Sequence, residues 1–115
     1  MDFKKRKIKF KAWDQKHQLL MRLISIECNK GELLKEDHVL LPFTGLYDKE
    51  GDEIYEMDIL LKSLDKWVVF WNETHNGRYP SFLLNPASHA PLLRDEALKM
   101  KRFGSYFEFA SKQQQ

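Results

Sequence analysis

Apolar and polar residues alternate along residues 7–13: Ile8, Phe10 and Ala12 fall on one side, Lys7, Lys9, Lys11 and Trp13 on the other. A period of two is that of a half-buried β-strand. Its lysine-rich outer face suits an edge strand, because lysines discourage edge-to-edge pairing. A polar turn at residues 14–18 leads into a second apolar run, residues 19–26. That run is expected to pair back on the first, although Leu19, Leu20, Leu23 and Ile24 also fit one helical face. Asn29-Lys30-Gly31 predicts a tight turn, with Gly31 free to take a positive φ. The segment 33–41 follows, and Pro42 is expected to end ladder pairing because it has no N–H to donate.

The clearest local signal spans residues 42–61. Phe43-Thr44-Gly45-Leu46-Tyr47 approaches the turn Asp48-Lys49-Glu50-Gly51, and Glu53-Ile54-Tyr55-Glu56 leaves it, which reads as a β-hairpin. Residues 58–62 continue as a strand and residues 63–66 turn. Trp67-Val68-Val69-Phe70-Trp71 has the β-branched and aromatic composition of a strand buried on nearly both faces. Asn76-Gly77 turns into residues 78–84, broken at Pro80, and residues 85–88 have loop chemistry. Residues 88–101 are the helix candidate, with Pro91 in a first turn and Leu93, Ala97 and Met100 spaced for one face. A last strand is expected over residues 103–109. The fold class that results is mainly β, a β-rich α+β arrangement. It is a small antiparallel barrel-like or sandwich-like domain with one short helix in its C-terminal half. A single domain covers residues 1–110, followed by a disordered tail at residues 111–115.

Composition narrows the class further. With 115 residues, 43% hydrophobic and 13% aromatic, the chain can build one packed core. Its apolar runs fall far short of the roughly 20 residues needed to span a bilayer, and the basic N-terminus is not followed by a secretory apolar region. One cysteine, Cys28, excludes an internal disulfide and a cysteine-based zinc cluster. A soluble cytoplasmic protein without membrane association is the expectation. Charge is unevenly spread: Lys4, Lys5, Arg6, Lys7, Lys9 and Lys11 stand against Asp2 alone at the N-terminus. Asp48, Glu50, Asp52, Glu53, Glu56 and Asp58 form an acidic pole against Lys49 alone. Such separation steers a polyanion to one end, or lets two parts of the chain, or two copies in a homo-oligomer, attract each other.

Candidate chemistry is sparse. An EF-hand places Gly at position 6 and Glu at position 12, whereas counting from Asp48 puts Gly51 at position 4 and Ile59 at position 12. The acidic loop is therefore expected to be a solvated turn. His17, His38, His75 and His89 share no metal-ligand spacing, so neither metal nor cofactor is expected. Cys28 lacks a glycine-rich oxyanion loop and reads as structural, and no phosphate-binding or nucleophile-elbow motif occurs. Glu56 and Asp58 would share one strand face, where surface charge is the plainer reading than acid–base work. No enzyme activity is expected. Nucleic-acid binding has a specific basis: Lys7, Lys9 and Lys11 would form a basic strand face ending in the stacking ring of Trp13, and Arg78-Tyr79 offers a second such pair. Small β-barrels bind single strands with that combination.

Three stretches carry a family resemblance. Ile8-Lys9-Phe10-Lys11-Ala12-Trp13-Asp14, with Met21 downstream, is similar to the I-K-F-R-A-W-D opening of the YopX family, small proteins encoded by phages and prophages. The run from Thr44 through Gly45, Leu46, Gly51, Glu53, Ile54, Tyr55 and Asp58 to Ile59 resembles T-G-L-x-D-x-x-G-x-E-I-Y-E-G-D-I. Residues 103–109 echo a terminal I-G-N-I-Y-E-N, with Ser105 and Phe109 in place of asparagines. Met57 stands where the family pattern has Gly, so the turn into Asp58 is made without the residue that accepts positive φ at little cost. The resemblance implies a β-rich fold and a mobile-element origin, and it implies no activity. Gly45, Leu46, Gly51, Ile54, Tyr55 and Asp58 are accordingly expected to specify the fold, the function of a binding module lying elsewhere.

Overall fold

In the computed structural model the structure describes residues 7–71, 80–85 and 88–113. The period-two stretches become antiparallel strands. β1 (Phe10–Asp14) pairs with β2 (Leu19–Arg22) across the polar turn, Ala12 opposite Met21, so the second apolar run is a strand and not a helix. β1 also pairs along its other side with β5 (His38–Tyr47), Trp13 opposite Val39. It is therefore an inner strand, not the edge strand its lysines suggested. Those lysines are accommodated by pairing with β6 (Glu53–Tyr55) and by packing on rings. The order in this four-stranded sheet is β2-β1-β5-β6.

Between β2 and β5, β3 (Glu27–Asn29) and β4 (Glu32–Leu34) form a separate two-stranded hairpin. Lys30 (φ +52°) and Gly31 (φ +85°) give it two successive positive-φ residues, the backbone of the hairpin turn whose twist matches its strands. Cys28 sits exposed on β3. β5 runs straight through Pro42, contrary to the expected break. Pro42 still offers its carbonyl, which accepts the Glu56 N–H at 2.9 Å, while the neighbouring Phe43 N–H bonds to the Lys9 carbonyl at 2.8 Å. The strand bends at a bulge between Phe43 and Leu46, where Gly45 has φ +84°. The Thr44 hydroxyl bridges the bulge, donating to the Ile54 carbonyl (2.7 Å) and accepting from the Leu46 N–H (3.1 Å).

A corner at Glu56-Met57 carries the chain to the five-stranded sheet, ordered β10-β9-β8-β7-β11. Its strands are β7 (Asp58–Lys62), β8 (Asp65–Trp71), β9 (Pro80–Asn85), β10 (Ser88–Pro91) and β11 (Lys101–Ser105). β8 is central, as its composition implied, but only Val69 is fully buried and Trp71 emerges at its end. The expected helix over residues 88–101 splits. Its start is strand β10, paired with β9, and only α1 (Arg94–Ala97) is helical. Pro91 at a sheet edge needs no ladder donor, and α1 begins at Leu93 without a side-chain cap, so helix signals there were weak. Leu92, Ala97 and Met100 face the core, whereas Leu93 is exposed.

The expected strand over residues 103–109 ends at Ser105, and α2 (Tyr106–Gln113) follows, making two short helices among the described residues in place of one. Ser105 Oγ accepts the Phe107 N–H (3.3 Å) and Glu108 reaches back to the Ser105 N–H (3.4 Å), a capping box that starts the helix. Residues 111–113, expected to begin the disordered tail, belong to this helix. The core gathers Ile54, Leu60, Val69, Leu92, Ala97 and Met100, flanked by Leu46 and Trp67. It joins β6 and the five-stranded sheet to α1, while α2 covers the other end through Phe107, which stacks on Trp13 at 5.6 Å.

Candidate binding groove

A groove of about 890 Å³ opens where the approach to β1, the bulged half of β5, the corner before β7 and the end of β8 converge. It is lined by residues 7–9, by residues 42–45 and Tyr47, and by Glu56 and Trp71. The Gly45 bulge bends β5 here, and bulges commonly re-aim side chains beside sites. Phe43 anchors a ring cluster, 5.7 Å from Tyr47 (edge-on, 71°) and 5.5 Å from Tyr55 (tilted, 41°), with Lys9 Nζ 5.1 Å from its centroid. Tyr47 and Trp71, both lining the groove, remain 39% and 38% exposed.

Electrostatics divide the site into paired and unpaired groups. Lys9 and Glu53 form an ion pair, whose hydrogen bond holds the Glu53 carboxyl below and the Lys9 ammonium above their usual values. The Tyr55 hydroxyl donates to Glu53 (3.2 Å), and burial, followed by Glu53, pushes the phenol up. Glu56 is different. Its backbone is fixed by the Pro42 carbonyl, but its half-buried carboxyl has no hydrogen bond or ion pair among the described residues, and burial alone pushes it above the ordinary glutamate range. Its oxygens stay open to solvent, where the donor of a bound ligand can reach them.

The acidic loop beside the groove is committed to structure. The buried Asp48 carboxylate accepts the N–H groups of Glu50 (2.8 Å), Asp52 (2.9 Å) and Arg102 (2.8 Å). Burial alone would raise its pKa, but these donors and Lys101 outweigh it and hold the carboxyl below the usual range. Lys101 also binds Glu50 and Asp52. Asp58 is buried at the start of β7, accepting the Tyr55 N–H (2.8 Å) and Arg102 Nε (2.8 Å). Its desolvation pushes the carboxyl up, and the Arg102 guanidinium opposes this. Glu56 and Asp58 thus do not share a strand face: the left-handed Met57 turns them apart, one to the groove and one to Arg102.

The residues proposed for nucleic-acid contact separate in the structure. Lys7 is exposed and lines the groove, as does Lys9, which is tied to Glu53. Lys11 is half-buried with its ammonium 4.5 Å from the Tyr55 centroid, and burial pushes its pKa down. Trp13 is only 4% exposed and stacked on Phe107, so it cannot serve as a stacking ring for a ligand. Arg78 and Tyr79 lie outside the described residues. Phe43, Tyr47, Glu56 and Trp71 were the groove residues missed. In sequence they were ordinary strand and turn positions, and only Trp71, an aromatic at a strand end, carried any signal. His17 and His38 meet at Asp14, with Nδ1 and Nε2 at 2.8 and 3.6 Å from its carboxylate. The His17 backbone N–H, more than the imidazole, holds Asp14 below its usual range despite opposing desolvation. Among the described residues no helix is long and apolar enough to cross a membrane.

Comparison with known proteins agrees with the motifs of residues 8–14 and 44–59, while residues 103–109 lie beyond the matched span. The family model described as YopX protein matches residues 2–81, a span that includes the whole groove. No curated protein matches. The chain is similar in fold to the crystal structure of protein EF1440 from Enterococcus faecalis, with a TM-score of 0.65 and 18% identity over 94% of this chain and 99% of that one. At that identity the likeness concerns the fold alone.

Proposed function

From the premise that this chain belongs to the YopX family, we propose that it is a non-enzymatic accessory protein of the phage or prophage type that acts by binding a ligand in the groove beside Phe43. The observation that carries this reading is the half-buried Glu56, whose carboxyl has no partner among the described residues, lining a groove with two half-exposed rings, Tyr47 and Trp71. Pockets that bind ligands combine apolar and aromatic walls with a few oriented polar groups. Binding is favoured over catalysis because the groove's one hydroxyl from a small side chain, that of Thr44, is already engaged with the Ile54 carbonyl and the Leu46 N–H. The phage-type assignment rests on the family pattern in residues 8–14 and 44–59. Charge-driven self-association is less favoured, since Lys9 meets Glu53 and Lys101 meets Glu50 and Asp52 within one chain.

The test is fragment mapping by NMR with indole, inorganic phosphate and free nucleobases as probes. Shifts concentrated at Tyr47, Glu56 and Trp71, and weakened in Glu56→Gln for probes that carry N–H donors, are expected. Probes that distribute over other surfaces and leave these three residues unmoved would refute the assignment.

A further inference from the structure

We infer that the groove takes a segment of single-stranded nucleic acid, stacking bases on Trp71 and Tyr47 and holding one base edge at Glu56; this rests on the binding reading above. Stacking platforms beside cationic side chains are how single strands are bound without duplex structure. Here the half-exposed rings that line the groove are Tyr47, packed edge-on against Phe43, and Trp71 at the end of β8. The cations are Lys7, exposed and without an ion pair among the described residues, and Lys9. Charge complementarity therefore favours a polyanion with flat rings.

Glu56 narrows the ligand. A carboxylate inside the groove disfavours an occupant that is only phosphate or carboxylate, so an acidic peptide or an anionic lipid surface fits poorly. It favours a group presenting N–H donors. A carboxylate accepts two parallel donors best. Guanine alone among the four bases presents two adjacent donors, N1–H and the N2 amino group, on its Watson–Crick edge. Adenine and cytosine present one amino group beside an acceptor, and thymine presents N3–H between two carbonyls. Reading of an exposed base edge is available in a single strand and closed in a duplex. The inference is thus a preference for guanine-containing single strands, read at Glu56.

The test uses the full chain and labelled oligonucleotides of about 12 nucleotides, within the range of site sizes for single-strand modules. A thymine strand is compared with the same strand carrying isolated guanines, and with duplex. Anisotropy is followed through a salt titration. Expected is tighter binding to the guanine strand than to thymine, and to either than to duplex, with a log–log salt slope set by the phosphates neutralised. Trp71→Ala should weaken binding about 5- to 100-fold, and Lys7→Ala should lower the slope by about 1. Glu56→Gln should leave the slope unchanged and abolish the guanine preference. Circular dichroism checks that each variant is folded; the exposed Lys7 gives a second variant should Trp71→Ala lose structure. Absence of binding at low salt, equal binding by Trp71→Ala, tighter binding to duplex, or a guanine preference that survives in Glu56→Gln would each overturn the inference. If nucleobase or indole probes map to the groove while no strand binds, the inference falls and the binding-module reading stands. If neither occurs, both fall.

Discussion

Met57 offers the sharpest test of the structural reasoning. It has φ +68°, a left-handed backbone that costs an L-residue roughly 1–2 kcal/mol. The conformation cannot relax, because both backbone groups of Met57 are spoken for. Its N–H donates to the Val69 carbonyl on β8 and its carbonyl accepts the Tyr106 N–H at the start of α2, each at 2.6 Å. The five-stranded sheet and the last helix are thus tied to one residue. Met57→Ala removes the half-buried side chain and keeps the strain; Met57→Gly removes both but adds about 0.5–1 kcal/mol of unfolded-chain entropy. The difference isolates the backbone, and glycine should exceed alanine in stability by about 1 kcal/mol. Met57→Val should be worst, since a β-branched residue tolerates positive φ least. The order Gly, Ala, Val is the reverse of the ordinary strand preference. Urea unfolding with a common m-value measures it, and a Tm gap between Gly and Ala of roughly 4–8 °C is expected. Valine equal to or better than glycine at this position would refute the account.

Other perturbations have defined signs. Burial raises the Glu56 pKa, so the ionised carboxyl costs stability at neutral pH and the cost disappears as pH falls through its folded value. Glu56→Gln should therefore raise Tm near pH 7 and lose that advantage in acid, and a pH-independent difference would contradict it. Asp48 is shifted the opposite way: its contribution is present above the unfolded aspartate value of about 3.9 and lost as pH falls through the lower folded value. Asp48→Ala should cost about 1–3 kcal/mol at pH 7, leaving the N–H groups of Glu50, Asp52 and Arg102 without their acceptor, and the gap measured by urea unfolding should narrow below about pH 4. Trp13 and Phe107 stack at 5.6 Å with planes 20° apart. A double-mutant cycle to alanine should return a coupling of about 0.5–1.5 kcal/mol, and a coupling of zero would mean that α2 does not dock on β1.

The motif residues show how far local chemistry reached. Gly45 and Gly51 are at φ +84° and +85°, Ile54 is in the core and Leu46 packs on it. Each follows from turn geometry or from a period of two, both properties of short chain segments. The capping box of Ser105 and Glu108 was equally local, but the alternating aromatics of residues 103–109 masked it, and the helix was read as strand. Residues 88–91 went the other way: backbone pairing with β9 overrode a helical spacing, as tertiary partners often override propensity.

By itself, then, the sequence determined the antiparallel β character, the hairpins and their turn residues, the family, and the unusual demand placed on Met57. Only the tertiary structure decided which face of β1 was inside, and so that Trp13 lies under Phe107 while Trp71 faces the groove. It also decided that the acidic pole, Glu56 apart, is paired from within by Lys9, Lys101 and Arg102. Strand pairing brings together residues far apart in the chain, and periodicity records only that a strand has two faces. Which of them is covered depends on the layer packed above it, and that layer is set by long-range contacts that no local pattern encodes.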